Sequence, residues 1–366
     1  MPNSIRKAVM QAMTGVYDPE IRRPITDLGM VEGVEVEGGK VIVHALLTVA
    51  GCPLQDTLAR DIEAAARGVD GVTDVTVHLD VMTEEQRANM TARLRRSGTA
   101  PQSPPDTFHG TATNVLVVAS GKGGVGKSSL TANLAVALAE RGKRVGLLDA
   151  DVYGHSIPAM MGIADERPTM VDDVIMPVMA FRVATMSLGL MKESRDQVIA
   201  WRGPMLDRAL TQMLSDVYWG DLDYLLVDLP PGTGDMPMSV ARQLPTGQVL
   251  VVTTPNEAAY EVAERAGTLA KMLKQQVIGV VENMSWLETV CPHCGKTHRV
   301  DLFGSGGGAA VADALTLSSG DPVPLVAQIP LDVALRAGGD DGSPVVLAKP
   351  DAPAALAIRQ LADAFQ

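Results

Sequence analysis

Hydrophobic and polar positions repeat differently in the two parts of this chain. Over residues 1–95, IRKAVMQAM has helical spacing, GKVIVHALLTV reads as a strand, LQDTLARDIEAAARGV is amphipathic at helical period, and VTDVTVHLDV alternates as a strand. These segments predict a small α/β unit. After Arg93-Leu94-Arg95-Arg96 the periodicity stops, and SGTAPQSPPDTFHG puts Pro, Gly and Ser where apolar repeats would be, as in a linker. Beyond it, NVLVVAS, KRVGLLDAD, DYLLVDLP, GQVLVVTTP and QQVIGVVENM are short runs apolar on both faces. Helix-like stretches such as LTANLAVALAERG and EAAYEVAERAGTLAKML lie between them. Strands of that kind, alternating with helices, imply a sheet covered on both sides. RAGGDDGSP reads as a turn or surface loop, and PAALAIRQLADAF as a final helix packed on the sheet. The expected fold class is α/β, a mostly parallel sheet flanked by helices and preceded by a small α/β domain. The expected boundaries are 1–96, a linker over 97–110, and 111–366. No internal repeat is visible.

Composition narrows the function classes. A chain of 366 residues suggests about two domains. It has no 18-residue uncharged apolar run, so no membrane span is expected. MPNSIRKAVMQAMTGVYDPE lacks the apolar core and small-residue cleavage site of a secretory leader. Three cysteines, an odd number, fit a reducing cytoplasm better than a disulfide framework. A formal net charge of -12 disfavours nucleic acid as a partner, and four Phe, three Trp and five Tyr are too few for base-stacking platforms.

Between the first strand and first helix of the second part lies Gly121-Lys122-Gly123-Gly124-Val125-Gly126-Lys127-Ser128, followed by Ser129. This is G-x₄-G-K-[ST] in a strand–loop–helix context. Glycines let several N–H groups converge on one anion, and the helix N-terminus adds partial positive charge. Lys127 is expected to reach the β- and γ-phosphates and Ser128 to place its hydroxyl on Mg²⁺. Asp149 and Asp151 end one strand and Asp228 another, at the edge where ligands bind parallel sheets. Asp228 is the candidate for holding Mg²⁺ through water, and Asp151 for organising the attacking water. Each could instead cap a helix or turn, and Asp235 is read as a loop cap. Lys122 has no role in the basic loop geometry: it is either solvated or reaches across a dimer interface to the transferring phosphoryl group.

Cys291-Pro292-His293-Cys294-Gly295 is a C-x₂-C knuckle with half the ligands of a closed metal site. Zinc on Cys291, Cys294 and His298, completed by His293 or a distant residue, is one reading. A redox dithiol is a second. A third is a cluster shared across a two-fold axis, where two thiolates from each chain make the four a cubane needs. That arithmetic favours the third if the chain pairs across a two-fold axis. Cys52, in VAGCPLQDTL at the start of a predicted helix, is either a reactive thiolate able to ligate iron transiently or a buried structural cysteine.

GKGGVGKS resembles the deviant Walker A box of MinD/ParA-like (SIMIBI-class) P-loop ATPases. With DADVYGHSIPAMMG, DYLLVDLPPGTGD, VVTTPNEAA, VENMSW and CPHCG, the chain resembles the Mrp/Nbp35 group of iron–sulfur cluster carrier ATPases. The first segment, through DPEIRRPITDLGMV and GCPL, resembles the MIP18/DUF59 domain. The resemblance implies an ATP-hydrolysing homodimer with two nucleotides near its interface and Lys122 acting across it. It places Asp151 in the first switch, Asp228 in the second and Asn283 on adenine. It also implies a labile [4Fe–4S] cluster on Cys291 and Cys294 of both subunits, received from donor proteins and passed to apo-proteins. One departure is His155 where the family often has proline, read as a local variation. The competing function is a MinD/ParA-like positioning ATPase with structural zinc at the knuckle. PAALAIRQLADAFQ is too poor in basic and bulky apolar residues for a membrane-targeting helix. A metal-loading GTPase is disfavoured because no N-K-x-D motif is present.

Overall fold

Strands that are apolar on both faces need cover on both faces, and in the computed structural model they form the interior of a nine-stranded sheet. The structure describes residues 2–19, 21, 23–48, 54–96, 108, 112–152, 154, 156–172, 174–191, 203–256 and 275–365. Cys52, His155, most of the expected linker and the helix expected over EAAYEVAERAGTLAKML lie outside the described residues. The chain divides into two compact units. One comprises residues 1–101, 169–176 and 216–220, the other 102–168, 177–215 and 221–366.

In the first unit, helix α1 (Pro2–Met13) and the short α2 (Ile25–Leu28) precede β1 (Val31–Glu37) and β2 (Lys40–Leu47). Helix α3 (Gln55–Arg67), β3 (Asp74–Val81) and α4 (Glu84–Arg96) follow. The strand order is β1-β2-β3, with β1–β2 antiparallel and β2–β3 parallel. Val41, Val43 and Ala45 of β2 are buried with Leu58 and Ile62 of α3 and with Val9 and Met13 of α1. Two distant pieces of sequence complete this core. Strands β6 (Thr169–Val171) and β7 (Val174–Met176) form an antiparallel hairpin, and Val217 bridges to Ile175. Val171, Val174, Met176 and Tyr218 all belong to the buried cluster. Asp172, at the hairpin turn, has φ 54°, and its carboxylate accepts the Thr91 hydroxyl at 2.9 Å.

The second unit is built on β4 (Asn114–Ser120), α5 (Lys127–Glu140), β5 (Val145–Asp149), α6 (Ile157–Met160), β8 (Val178–Ala180) and β9 (Val183–Ser187). It continues through α7 (Gly203–Ser215), β10 (Tyr224–Asp228), α8 (Asp235–Gln243), β11 (Gln248–Thr253), β12 (Val277–Val290) and β13 (Thr297–Val300). Helix α9 (Gly307–Ser319), β14 (Leu325–Leu331), α10 (Val333–Asp340), α11 (Val345–Ala348) and α12 (Pro353–Asp363) close it. The sheet order is β13-β12-β11-β4-β10-β5-β9-β8, with β14 also paired to β12. The interior pairs are parallel, and the antiparallel pairs β12–β13 and β8–β9 sit at the edges. Helix α5 is buried from Leu130 to Ala139. An unbroken apolar surface of this kind suits a helix held between a sheet and a second helix. Ala354, Ala355, Ile358 and Leu361 of α12 share its core cluster.

One expectation is corrected. The first half of RAGGDDGSP is helical, not a loop, because it forms the end of α10. Asp332 caps that helix by accepting the Ala334 N–H at 2.7 Å, and Arg336 pairs with Asp340 one turn on. Gly338 is required there, since a Cβ would lie 2.5 Å from the Ser343 carbonyl oxygen. Capping and packing outweigh the low helix propensity of paired glycines.

The composite core yields a test. Tyr218→Ala is expected to destabilise the first unit by about 3 kcal/mol. Hydrogen exchange should show lowered protection of amides in β1–β3; unchanged protection there would refute the composite core.

Candidate nucleotide site and cysteine hairpin

The glycine-rich loop turns directly from β4 into α5. Gly124 and Gly126 have φ of 78° and 79°, a region that excludes most side chains. At the loop's end the Lys127 ammonium lies 2.6 Å from Asp228 Oδ2. The Ser128 hydroxyl donates to the same oxygen at 2.6 Å, and Thr131 Oγ1 lies 2.8 Å from Asp228 Oδ1. Asp228 is 0% exposed and Lys127 5%. The structure thus brings together Lys127, Ser128 and Asp228, named from sequence, and adds Thr131, which was not. The signal for Thr131 was available: a hydroxyl four residues after Lys127 lies on the same helix face.

Asp149 pairs in register with Asp228 across β5 and β10 and is equally buried. Burial, and then the Asp228 charge, push its carboxyl up to about 8. The Ser187 hydroxyl at 3.0 Å, the Asp151 N–H at 3.0 Å and the nearby Lys127 oppose this rise. The environment of Asp149 therefore favours its protonated form. Asp151 is half-buried, and its carboxylate accepts the Gly154 N–H at 2.9 Å, the turn-capping alternative. A Cβ at Gly154 would meet Asp151 Oδ2 at 2.6 Å, so a larger residue there would displace the carboxylate from this turn. Lys122 is half-buried; its carbonyl accepts the Ser120 hydroxyl at 3.2 Å, and among the described residues its ammonium has no carboxylate partner. Ser129, half-buried on the first turn of α5, has its carbonyl capped by the Asn133 amide at 2.9 Å. Asn283, 3% exposed on β12, donates its amide to the Val125 carbonyl of the loop at 2.8 Å.

Strand β12 runs on past the sheet core. Its last four residues, Leu287–Val290, pair with β13 as an antiparallel hairpin whose tip is the knuckle. The Cys291 N–H donates to the Lys296 carbonyl and the Gly295 N–H to the Cys291 carbonyl, both at 2.9 Å, with Gly295 at φ 68°. Arg299 stacks over Trp286, 4.1 Å from the ring centroid, and braces the hairpin. Both thiols are free, Cys291 half-buried and Cys294 exposed. The N–H groups of Cys294 and His293 and the Cys294 side chain hold the Cys291 thiol below its ordinary value, against a smaller burial penalty. His298 sits opposite Thr289 in the hairpin. Among the described residues no group of three or more His, Cys, Asp or Glu is placed to hold a metal ion.

Two outcomes are expected. Because the native Asp149 carboxyl is pushed up to about 8 from the ordinary 3.8, its own contribution to ligand-free stability is fullest below 3.8 and drains as pH rises through about 8. Thermal unfolding of Asp149→Asn in EDTA should show a smaller loss over this window than wild type. Peptide-resolved alkylation should show Cys291 reacting with a midpoint below the usual thiol value of about 8.5. In Cys294→Ser the midpoint should stay depressed, since the two backbone donors remain.

Residues 111–366 match the family model described as NUBPL iron-transfer P-loop NTPase, and residues 6–79 match that described as iron-sulfur cluster assembly protein. The chain is 49% identical over 363 residues to the iron-sulfur cluster carrier protein of Mycobacterium leprae, covering 98% of this chain and 92% of that one. It is 40% identical to the protein of the same name from Deinococcus radiodurans, covering 97% and 93%. Among solved structures, a nucleotide-binding protein from Archaeoglobus fulgidus in complex with ADP is 37% identical, with TM-score 0.53, over 65% of this chain and 89% of that one. No helix among the described residues is long and apolar enough to cross a membrane. With the loop, its buried lysine–aspartate pair and the match across 111–366, this chain belongs to the family of NUBPL iron-transfer P-loop NTPases.

Proposed function

We propose that this protein is a cytoplasmic, homodimeric, ATP-hydrolysing iron–sulfur cluster carrier. The observation that carries the reading is the pairing of a nucleotide loop with a hairpin that offers two thiols and no third ligand among the described residues. The loop amides from Gly121 to Gly126, with the start of α5 at Lys127, Ser128 and Ser129, bind the phosphates. Lys127 exchanges its contact with Asp228 for the β- and γ-phosphates. Ser128 and Asp228 already converge to 2.6 Å and offer the hard oxygen donors that Mg²⁺ prefers, Asp228 through water. Bound there, Mg²⁺ neutralises charge on the transferring phosphoryl group. Asp151 leaves its turn to orient the attacking water, Lys122 acts on the opposite subunit's phosphates, and Asn283 turns its carboxamide oxygen to the adenine amine.

The cargo is a [4Fe–4S] cluster held by Cys291 and Cys294 of both subunits, the four thiolates a cubane takes. Donor proteins supply it and apo-proteins receive it, with Cys52 as a transient ligand. The region of 111–366 carries both sites. The 49% identity to a cluster carrier over nearly the whole chain supports this reading over a positioning ATPase.

Anaerobic reconstitution with iron, sulfide and zinc tests it. About four irons and four sulfides per wild-type dimer are expected, with both lost in Cys291→Ala. One zinc per chain without sulfide would overturn the cargo. Lys127→Ala should lower ATP turnover by about a hundredfold or more and remove the ATP dependence of transfer to an apo-acceptor. Unchanged ATP-dependent transfer in that variant would reject the coupling.

A further inference from the structure

Strand β12 carries a defect between its two halves. Met284 has φ 59°, a left-handed conformation that a long unbranched side chain adopts only under constraint. At the same place the pairing with β14 slips: Asn283 faces Ile329, but Leu287 faces Leu331, so β12 has two extra residues there. On the N-terminal side of this bulge the strand is anchored. Glu282 accepts the Gly308 N–H at 2.6 Å and the Gln328 amide at 2.8 Å, and the Ser285 hydroxyl closes back onto the Glu282 carbonyl at 2.8 Å. On the C-terminal side the strand leads straight into the cysteine hairpin.

Asn283 joins this bulge to the nucleotide loop. Its amide holds the Val125 carbonyl, and a Cβ at Gly126 would overlap that amide. The Val125–Gly126 peptide is planar, so fixing its carbonyl toward β12 fixes the Gly126 N–H on the opposite side. That N–H belongs to the set an anion draws on. An anion accepting from it polarises the peptide and strengthens the Asn283 bond in turn.

We propose that Asn283 and the Met284 bulge form the link through which nucleotide occupancy of the loop alters the Cys291/Cys294 hairpin. Asn283 is a positioning residue: it orients a phosphate-binding N–H and passes the change in its own grip into a strained residue next to it. Met284 is the bistable element, left-handed in this state and extended in the other. Its switch redirects the eight residues from Met284 to Cys291, a span of about 25 Å if fully extended. Linkage makes the effect reciprocal, so occupancy of the hairpin alters nucleotide affinity by the same factor. The link rests on the carrier reading for its purpose, but its geometry is independent of any cargo.

The test uses the full-length cluster-free chain and reads alkylation of Cys291 and Cys294 by iodoacetamide at the peptide level, with and without saturating Mg-ADP or a non-hydrolysable ATP analogue. Wild type should change its rate by about fivefold on nucleotide binding. Met284→Gly, which releases the strain, should bind nucleotide as wild type does yet lose most of the response. Met284→Asn, which tolerates the left-handed region, should keep it. Asn283→Ala should bind nucleotide about tenfold more weakly and lose the response even at saturation. A wild-type rate indifferent to nucleotide would overturn the link, as would a full response in Met284→Gly. If the response is present but reconstitution yields no iron or sulfide, the link stands and the carrier reading fails.

Discussion

A carboxylate as deeply buried as Asp228 requires a cation, and much of the nucleotide half is arranged around supplying it. Lys127 reaches Asp228 because α5 begins where the loop ends, on the strand next to β10. Breaking such a pair by deleting one partner costs about 3–5 kcal/mol, because the other charge is left stranded. Two buried aspartates share this one lysine. Burial first, and the neighbouring Asp228 charge second, push the Asp149 carboxyl up to about 8. In the proposed cycle, phosphates draw Lys127 away from Asp228, so the cation that replaces it has to arrive with them.

Strand β12 has two characters. Its first half is buried between β11 and β14, where Val280 and Val281 are fully covered, while its last four residues form an open hairpin with β13. The buried half supplies rigidity and the amide that holds the loop. The open half supplies thiols that a second molecule can reach, and backbone donors that favour the thiolate at Cys291. Two free thiols at a hairpin tip, one of them exposed, are in keeping with the proposed transient cargo.

Most of the second unit's fold was legible in sequence. Doubly apolar strands such as NVLVVAS and DYLLVDLP have few alternatives to a covered sheet, and the glycine loop marks its own place by the φ values it needs. The first unit was less legible. VEGVEVE, which forms β1, is interrupted by glycine and glutamate, and the strands of the 169–176 hairpin are three residues long, too short for a period to show. RAGGDDGSP misled because its helical half depends on Asp332 and on packing against Ser343, neither of which is part of the glycine pattern.

The sequence by itself determined the glycine-rich loop, the choice of Lys127, Ser128 and Asp228 as the residues that converge beside it, and the two-thiol count of the knuckle. Those depend on residue type and short-range spacing, which one-dimensional order preserves. Only the tertiary structure decided that Thr131 completes the Asp228 cluster, that burial pushes the Asp149 carboxyl up and that Asn283 grips the loop from another strand. It alone placed Val171 and Tyr218 in the first unit's core. Each of these depends on burial, or on contacts between residues far apart in sequence, which order along the chain does not encode locally.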